Sequence, residues 1–189
     1  GKRALAVLPP TPRLDVLLER ARAADAVAEG IYYAQSPQES LAPYRAALAN
    51  YEEAHRRFPA SRTVMERMER ARWGLASTLL SMNRNAEALA LLDDGHARVS
   101  KLVAFDADDL EAARLLQIVG LDRAQATADV GQFDRAIALY EANIAGRRAW
   151  LARNPGENRR LRDLAVAIKS LGDVQVRGGR IRQACASYE

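Results

Sequence analysis

A period of 48 residues constrains this chain more than any other feature of its sequence. Three segments align without a gap: "PASRTVMERMERARWGLASTLLSMNRNAEALALL" from Pro59, "ADDLEAARLLQIVGLDRAQATADVGQFDRAIALY" from Ala107, and "PGENRRLRDLAVAIKSLGDVQVRGGRIRQACASY" from Pro155. In that register Ala88, Ala136 and Ala184 recur, and a large apolar residue follows four places on, at Leu92, Tyr140 and Tyr188. A turn residue precedes each alanine by five, at Asn83, Gly131 and Gly179. A small residue lets two helices approach, and the large one a turn later fills the adjoining gap. Glycine or asparagine supplies the backbone freedom of a tight turn. Each unit therefore reads as a helix hairpin, and such hairpins bury their apolar stripes by stacking on one another.

The periodicity inside the units is helical. Leu161, Leu164, Ala165, Ile168 and Leu171 mark one apolar stripe, and Phe133, Ala136, Ile137, Tyr140 and Ile144 mark another. Asp106 and Asn154 read as capping residues, with Asp109 and Glu157 three places on to reach back to free backbone N–H groups. The first fifty residues form an irregular opening unit. Thr11 and Pro12 suit the start of a helix running to about Ala34. "QSPQES" is then a loop, and Ser40 caps a second helix ending near Phe58, with Ala47 and Tyr51 in the small and large roles. From Ala47 to the next proline is 12 residues, against 19 from Ala136 to Pro155. That difference predicts second helices about two turns longer in the later hairpins. The units expected are 11–58, 59–106, 107–154 and 155–189.

The stretch "VRGGRIR", Val176 to Arg182, has the composition of a phosphate-gripping loop. Its glycines fall in register with Val130-Gly131 and Met82-Asn83, so it reads as the bend of the last hairpin. The composition agrees with a soluble helical protein: 49% hydrophobic and 28% charged residues, with 11 glycines and 7 prolines. No apolar run approaches the roughly 18 residues that would mark a spanning helix. "GKRALAVLPPTPR" has too short an apolar core for a secretory signal. The helical pattern is still running at "ACASYE", which predicts a piece of a longer protein.

This pattern resembles the tetratricopeptide repeat, a helix–turn–helix unit that stacks into a right-handed superhelix. The best match is "SLGDVQVRGGRIRQACASYE", with Leu171-Gly172, Gly179, Ala184 and Tyr188; "DVGQFDRAIALYEANI" follows with Gly131, Ala136 and Tyr140. The resemblance is strong from about Arg70 and weaker before it. Ala76 and Ala124 stand where Gly172 does, Thr127 and Gln175 stand where the family prefers an aromatic, and the unit exceeds the usual length of about 34 residues. Lengthened repeats of this kind are similar to arrays appended to bacterial serine/threonine kinases and signalling regulators.

The resemblance implies an all-α solenoid of about four antiparallel hairpins whose first helices line a concave surface for peptides or partner domains. Carried over by register, the groove residues are Arg70, Trp73, Ser77 and Leu80 from one unit, and Ile118, Leu121, Gln125 and Asp129 from the next. Val166, Lys169, Asp173 and Arg177 follow from the last. It also implies a cytoplasmic module, or an extracytoplasmic one where the array is tethered to a membrane kinase.

Chemistry offers little competition to that reading. His96, Asp93 and Asp94, with Asp106, Asp108 and Asp109, have the residue types of a metal site but the spacing of no known metal loop. The lone Cys185 excludes an intrachain disulfide and a thiolate metal site. His55 sits in no catalytic motif, Glu52 and Glu53 point about 100 degrees apart on a helix, and HExxH, GxSxG, GxxxxGK[ST] and GxGxxG are all absent. A non-catalytic module without cofactor or metal is expected.

Charge supplies the alternative, nucleic-acid binding. From Glu141 onward there are 10 Lys and Arg against 5 Asp and Glu, leaving 18 against 19 before it. The basic set is Arg147, Arg148, Arg153, Arg159, Arg160, Arg162, Arg177, Arg180 and Arg182, with Trp150 and Tyr188 as the aromatics beside it. So few stacking residues favour a protein or peptide partner, acidic at this end, over a nucleic acid. Self-association through the terminal helix is also expected, since a second copy could shield its apolar face.

Overall fold

The computed structural model describes residues 13–34, 36–154 and 158–188. They form eight helices: α1 (Leu14–Ala34), α2 (Pro37–Arg57), α3 (Arg62–Ser81), α4 (Asn85–Phe105), α5 (Leu110–Asp129), α6 (Phe133–Arg153), α7 (Asn158–Arg177) and α8 (Ile181–Tyr188). Consecutive helices pack on one another, so the chain is an all-α stack of hairpins. The starts of α2, α4, α6 and α8 are spaced by 48 residues, as are those of α1, α3, α5 and α7.

The bends repeat at the same interval. Asn83, Gly131 and Gly179 have φ of 58°, 83° and 74°, the left-handed region. Arg84 N–H donates to the Leu79 carbonyl at 2.9 Å, Gln132 N–H to Thr127 at 3.1 Å and Arg180 N–H to Gln175 at 2.7 Å. These bonds occupy carbonyls that the end of each first helix would otherwise leave free. "VRGGRIR" is such a bend.

The helix starts differ from the sequence reading. Asp109, not Asp106, caps α5, with its carboxylate accepting from Glu111 and Ala112 N–H at 2.9 Å each. Asp106 and Asn154 instead end α4 and α6. Ser61 caps α3, two residues past Pro59, where the unit was expected to begin. Glu157 lies outside the described residues, as do Thr11 and Pro12.

In the first hairpin Ser36 caps α2 and Pro37 opens it, as suits a residue without an N–H. Ser40 is inside the helix, fully buried, and its hydroxyl donates to the Pro37 carbonyl at 2.8 Å. Ser40 and Tyr44 are therefore the true counterparts of Ala88 and Leu92, one repeat earlier. Ala47 and Tyr51 are also buried, but a turn or two further along. With the register corrected, α2, α4 and α6 are 21 residues each, and the predicted difference of two turns is absent.

One apolar cluster joins α1 to α5 through residues such as Ala21, Tyr51, Leu75, Leu92 and Val119. A second joins α5 to α7 through Ala124, Ile137, Tyr140 and Leu171. Burying each Leu or Ile side chain contributes about 1.5–3 kcal/mol. Ala88, Ala136 and Ala184 are fully covered, as their role as spacers demands. In α7 the covered stripe is Ala167, Leu171 and Val174, whereas Leu161 and Ala165 face outward. Tyr188 is 51% exposed, although its ring lies against Gly172, where an added Cβ would come within 2.5 Å.

Candidate functional site

Among the described residues the first helices touch in order, α1 with α3, α3 with α5 and α5 with α7, while no second helix touches another. The stack is tighter along the first helices and curves around them. They form its inner face, and the second helices diverge on the outer one.

Polar bonds hold the inner seams. Trp73 Nε1 donates to Asp122 Oδ2 at 2.7 Å, from α3 to α5. Arg70 pairs with Glu111 at 3.1 Å across the same seam. Arg177 of α7 pairs with Asp129 of α5 at 2.8 Å, donates to the Ala128 carbonyl at 3.3 Å, and holds its guanidinium 5.6 Å from the Phe133 ring centre. Burial pushes the Asp122 carboxyl above the usual carboxylate range, against the pull of the Trp73 bond and nearby Arg147.

These bonds occupy many of the residues that register assigns to the groove. Gln125 donates to Asp129 at 2.8 Å and accepts the Tyr140 hydroxyl at 3.0 Å. One repeat later Tyr188 donates to Asp173 at 2.6 Å, and Lys169 donates to it at 2.7 Å. Those two bonds hold Asp173 below its usual range. Ser77 and Leu80 are half-buried, and Leu80 packs on the core. Lys169 lines a separate hollow between α6, α7 and α8, with Ile144, Ile168 and Tyr188.

Ile118, Leu121 and Val166 do converge. With Arg114, Arg147 and Asp163 they line a pocket of about 160 Å³ between α5 and α7, room for one side chain. Arg147 reaches this pocket from α6 behind, 4% exposed, with Nε on Asn143 Oδ1 at 2.7 Å and Nη2 on the Gln117 carbonyl at 3.1 Å. Burial pushes its guanidinium below the usual arginine range. Arg114, Arg147 and Asp163 were not among the groove residues read from sequence. Arg147 carried a signal nonetheless: it stands where Tyr51 and Val99 stand, a charge on a stripe otherwise apolar.

The basic quarter is not one open surface. Besides Arg147, Arg160 stacks 4.7 Å from the Trp150 ring centre, Arg177 is held as described, and Arg180 pairs with Asp134. Trp150 is itself only 7% exposed, which removes it as a platform for bases. Arg148, Arg153, Arg162 and Arg182 are exposed, and the Arg159 side chain lies outside the described residues.

Of the acids considered as metal ligands, Asp93, Asp94, Asp106 and Asp109 have arginine partners. Asp93 binds Arg123 at 2.5 Å and Arg135 at 2.9 Å, which together outweigh burial and lower its pKa. Asp106 binds Arg62 at 3.1 Å, and Asp109 binds the same guanidinium while capping α5. Among the described residues no three His, Cys, Asp or Glu side chains come together as a metal would require, and no helix is long and apolar enough to cross a membrane.

The class these features define is an all-α helical-repeat protein of stacked hairpins. No family model and no curated protein matches the chain. Among solved structures, the crystal structure of aspartyl phosphate phosphatase F from Bacillus subtilis is similar, with a TM-score of 0.66 and 16% sequence identity, over 90% of this chain and 38% of that one. At that identity the likeness shows a shared helical-repeat fold, and this chain spans 38% of the other's length.

Proposed function

We propose that the chain is a partner-binding scaffold of tetratricopeptide type, taking a segment of another protein along the inner face of α1, α3, α5 and α7. The observation that carries this reading is the pocket of Ile118, Leu121 and Val166. The three apolar side chains leave room for one anchoring side chain, and Arg114, Arg147 and Asp163 flank it, two positive charges against one negative. Such a site suits an apolar residue next to an acidic one, because a central apolar anchor supplies affinity and the flanking charge supplies orientation. Four units, 11–58, 59–106, 107–154 and 155–189, compose the binding domain.

A place in bacterial signalling is favoured by the likeness in fold to a bacterial protein named for acting on aspartyl phosphate. The reading assigns this chain recognition and no catalysis, since the inner-face acids Asp122, Asp129 and Asp173 are engaged in bonds between helices. The test is selection of binders from a displayed peptide library, followed by titration of the selected peptides against variants. Ile118→Arg and Val166→Arg are each expected to weaken binding at least about tenfold. Unchanged affinity for both variants contradicts the reading.

A further inference from the structure

On the outer face α2 and α4 diverge over α3 and leave a groove of about 660 Å³. Its floor contains Met65, Met68 and Leu102, together with two polar side chains, Glu69 and His55. Glu69 is 2% exposed; its Oε2 accepts from Arg72 Nε at 3.1 Å, while its Oε1 accepts no hydrogen bond, and Arg98 Nη1 stands 3.7 Å away. His55 Nδ1 is likewise buried without a partner. Among the described residues these two are the buried side-chain atoms left unbonded, and both line this one groove. Buried polar atoms are seldom left so, because losing water without a replacement bond is costly.

The next groove along, over α5, carries side-chain donors at the matching positions. Gln117 stands there at the register of Glu69, and Asn143 at that of Gly95. Asn143 Nδ2 and Arg147 Nη2 donate to the Gln117 main-chain carbonyl at 2.9 and 3.1 Å, and Arg147 Nε donates to Asn143 Oδ1 at 2.7 Å. In the first groove the matching positions are Gly95 and Val99, which offer no donor. A Cβ added at Gly95 would come 3.4 Å from Glu69 Oε2. Gly95 thus leaves the space beside the carboxylate, and among the described residues none donates a hydrogen bond to Glu69 Oε1.

We propose that this outer groove is a binding site for a small aromatic acid that carries an N–H or O–H on its ring system, of the indole or phenol class. The ring donor bonds Glu69 Oε1. The ring lies against Met65, Met68 and Leu102, since thioethers and aromatic edges attract one another. Phe105, 86% exposed at the mouth, offers a further ring face, and the Lys101 and Arg98 cations there take the carboxylate. The volume lies within the range of small-molecule sites, about 300–1,000 Å³. This site is distinct from the inner face and does not depend on it.

The test is titration of the full chain with indole-3-propionic acid, followed by the methyl NMR signals of its three methionines. Met65 and Met68 are expected to shift saturably, while Met82, at the end of α3, stays still. 3-Phenylpropionic acid, which lacks the ring donor, is expected to bind about tenfold more weakly, the effect of one hydrogen bond to a charged acceptor. Leu102→Trp is expected to fill the groove and abolish the shifts; Trp150 holds that register in the next unit, so the fold has a precedent for it. Glu69→Leu is expected to erase the preference for indole. The proposal is overturned by the absence of saturable shifts at Met65 and Met68 up to about 5 mM, by equal binding of the two acids, or by binding that survives Leu102→Trp.

Discussion

The indole N–H of Trp73 donates to Asp122 Oδ2 across 2.7 Å, tying the first helix of one hairpin to the first helix of the next. Trp73 is therefore a seam residue whose polar end is spent on the neighbouring unit. Trp73→Phe keeps the ring and removes the donor from a carboxylate that burial already disfavours. It is expected to cost about 1–3 kcal/mol in urea unfolding, with Asp122→Asn, which still accepts the bond, costing less.

Asp109 performs two jobs, capping α5 and binding Arg62 from α3. Asp109→Ala is expected to destabilise by about 1–2 kcal/mol, and Asp109→Asn by less because the amide oxygen still caps. The Ala112 N–H, helped by Arg62, holds the Asp109 carboxyl below its ordinary range. Its contribution is thus present above the unfolded pKa and lost as pH falls through the folded one. Urea midpoints measured down an acid series should show wild type converging on the alanine variant.

Glu69 has the opposite sign. Burial raises its pKa, outweighing the pull of Arg72 and Arg98, so the folded state binds its proton more tightly than the unfolded chain does. Stability from this group falls as pH rises from the ordinary carboxylate range through the raised value. Glu69→Gln is expected to remove that slope and to unfold at higher urea than wild type at pH 8. Parallel stability curves for the two proteins would contradict the assignment.

Helical glycines should divide by what surrounds them. A Cβ at Gly74 would come 2.7 Å from Tyr44 Cε1, whereas at Gly146 it would meet nothing within 4 Å. Gly74→Ala is expected to destabilise by about 1–3 kcal/mol through overpacking. Gly146→Ala should stabilise by about 0.5–1 kcal/mol through reduced unfolded-chain entropy. Thermal unfolding of the two variants checks both signs.

Architecture was legible because its signals are local and periodic. Asn83, Gly131 and Gly179 could be read as bends from residue type, and all three have positive φ. Ala88, Ala136 and Ala184 could be read as spacers, and all three are covered. The first unit misled because Ala47 and Tyr51 imitate the spacer pair, while Ser40, one repeat before Ala88, looks like a cap. Only packing shows that Ser40 is inside a helix. The candidate face was legible as a direction and not as a set of free residues. Register puts Asp129, Asp173 and Arg177 on the first helices, but each has a partner on another helix, Arg177 with Asp129 and Tyr188 with Asp173, and pairing decides which remain free to bind. The outer groove was invisible for the same reason: Glu69 and His55 meet only where α2 and α4 diverge. Its one sequence trace is Gly95, a glycine within a helical pattern, buried inside continuous α4.

The most direct measurement of an inner-face site is site-specific photocrosslinking of a selected peptide. A benzophenone side chain is placed either at Arg162, exposed one turn before Val166 on α7, or at Ala90, exposed on α4. A crosslink from Arg162, with none from Ala90, is the expected result. A crosslink from Ala90, with none from Arg162, would contradict an inner-face binding site.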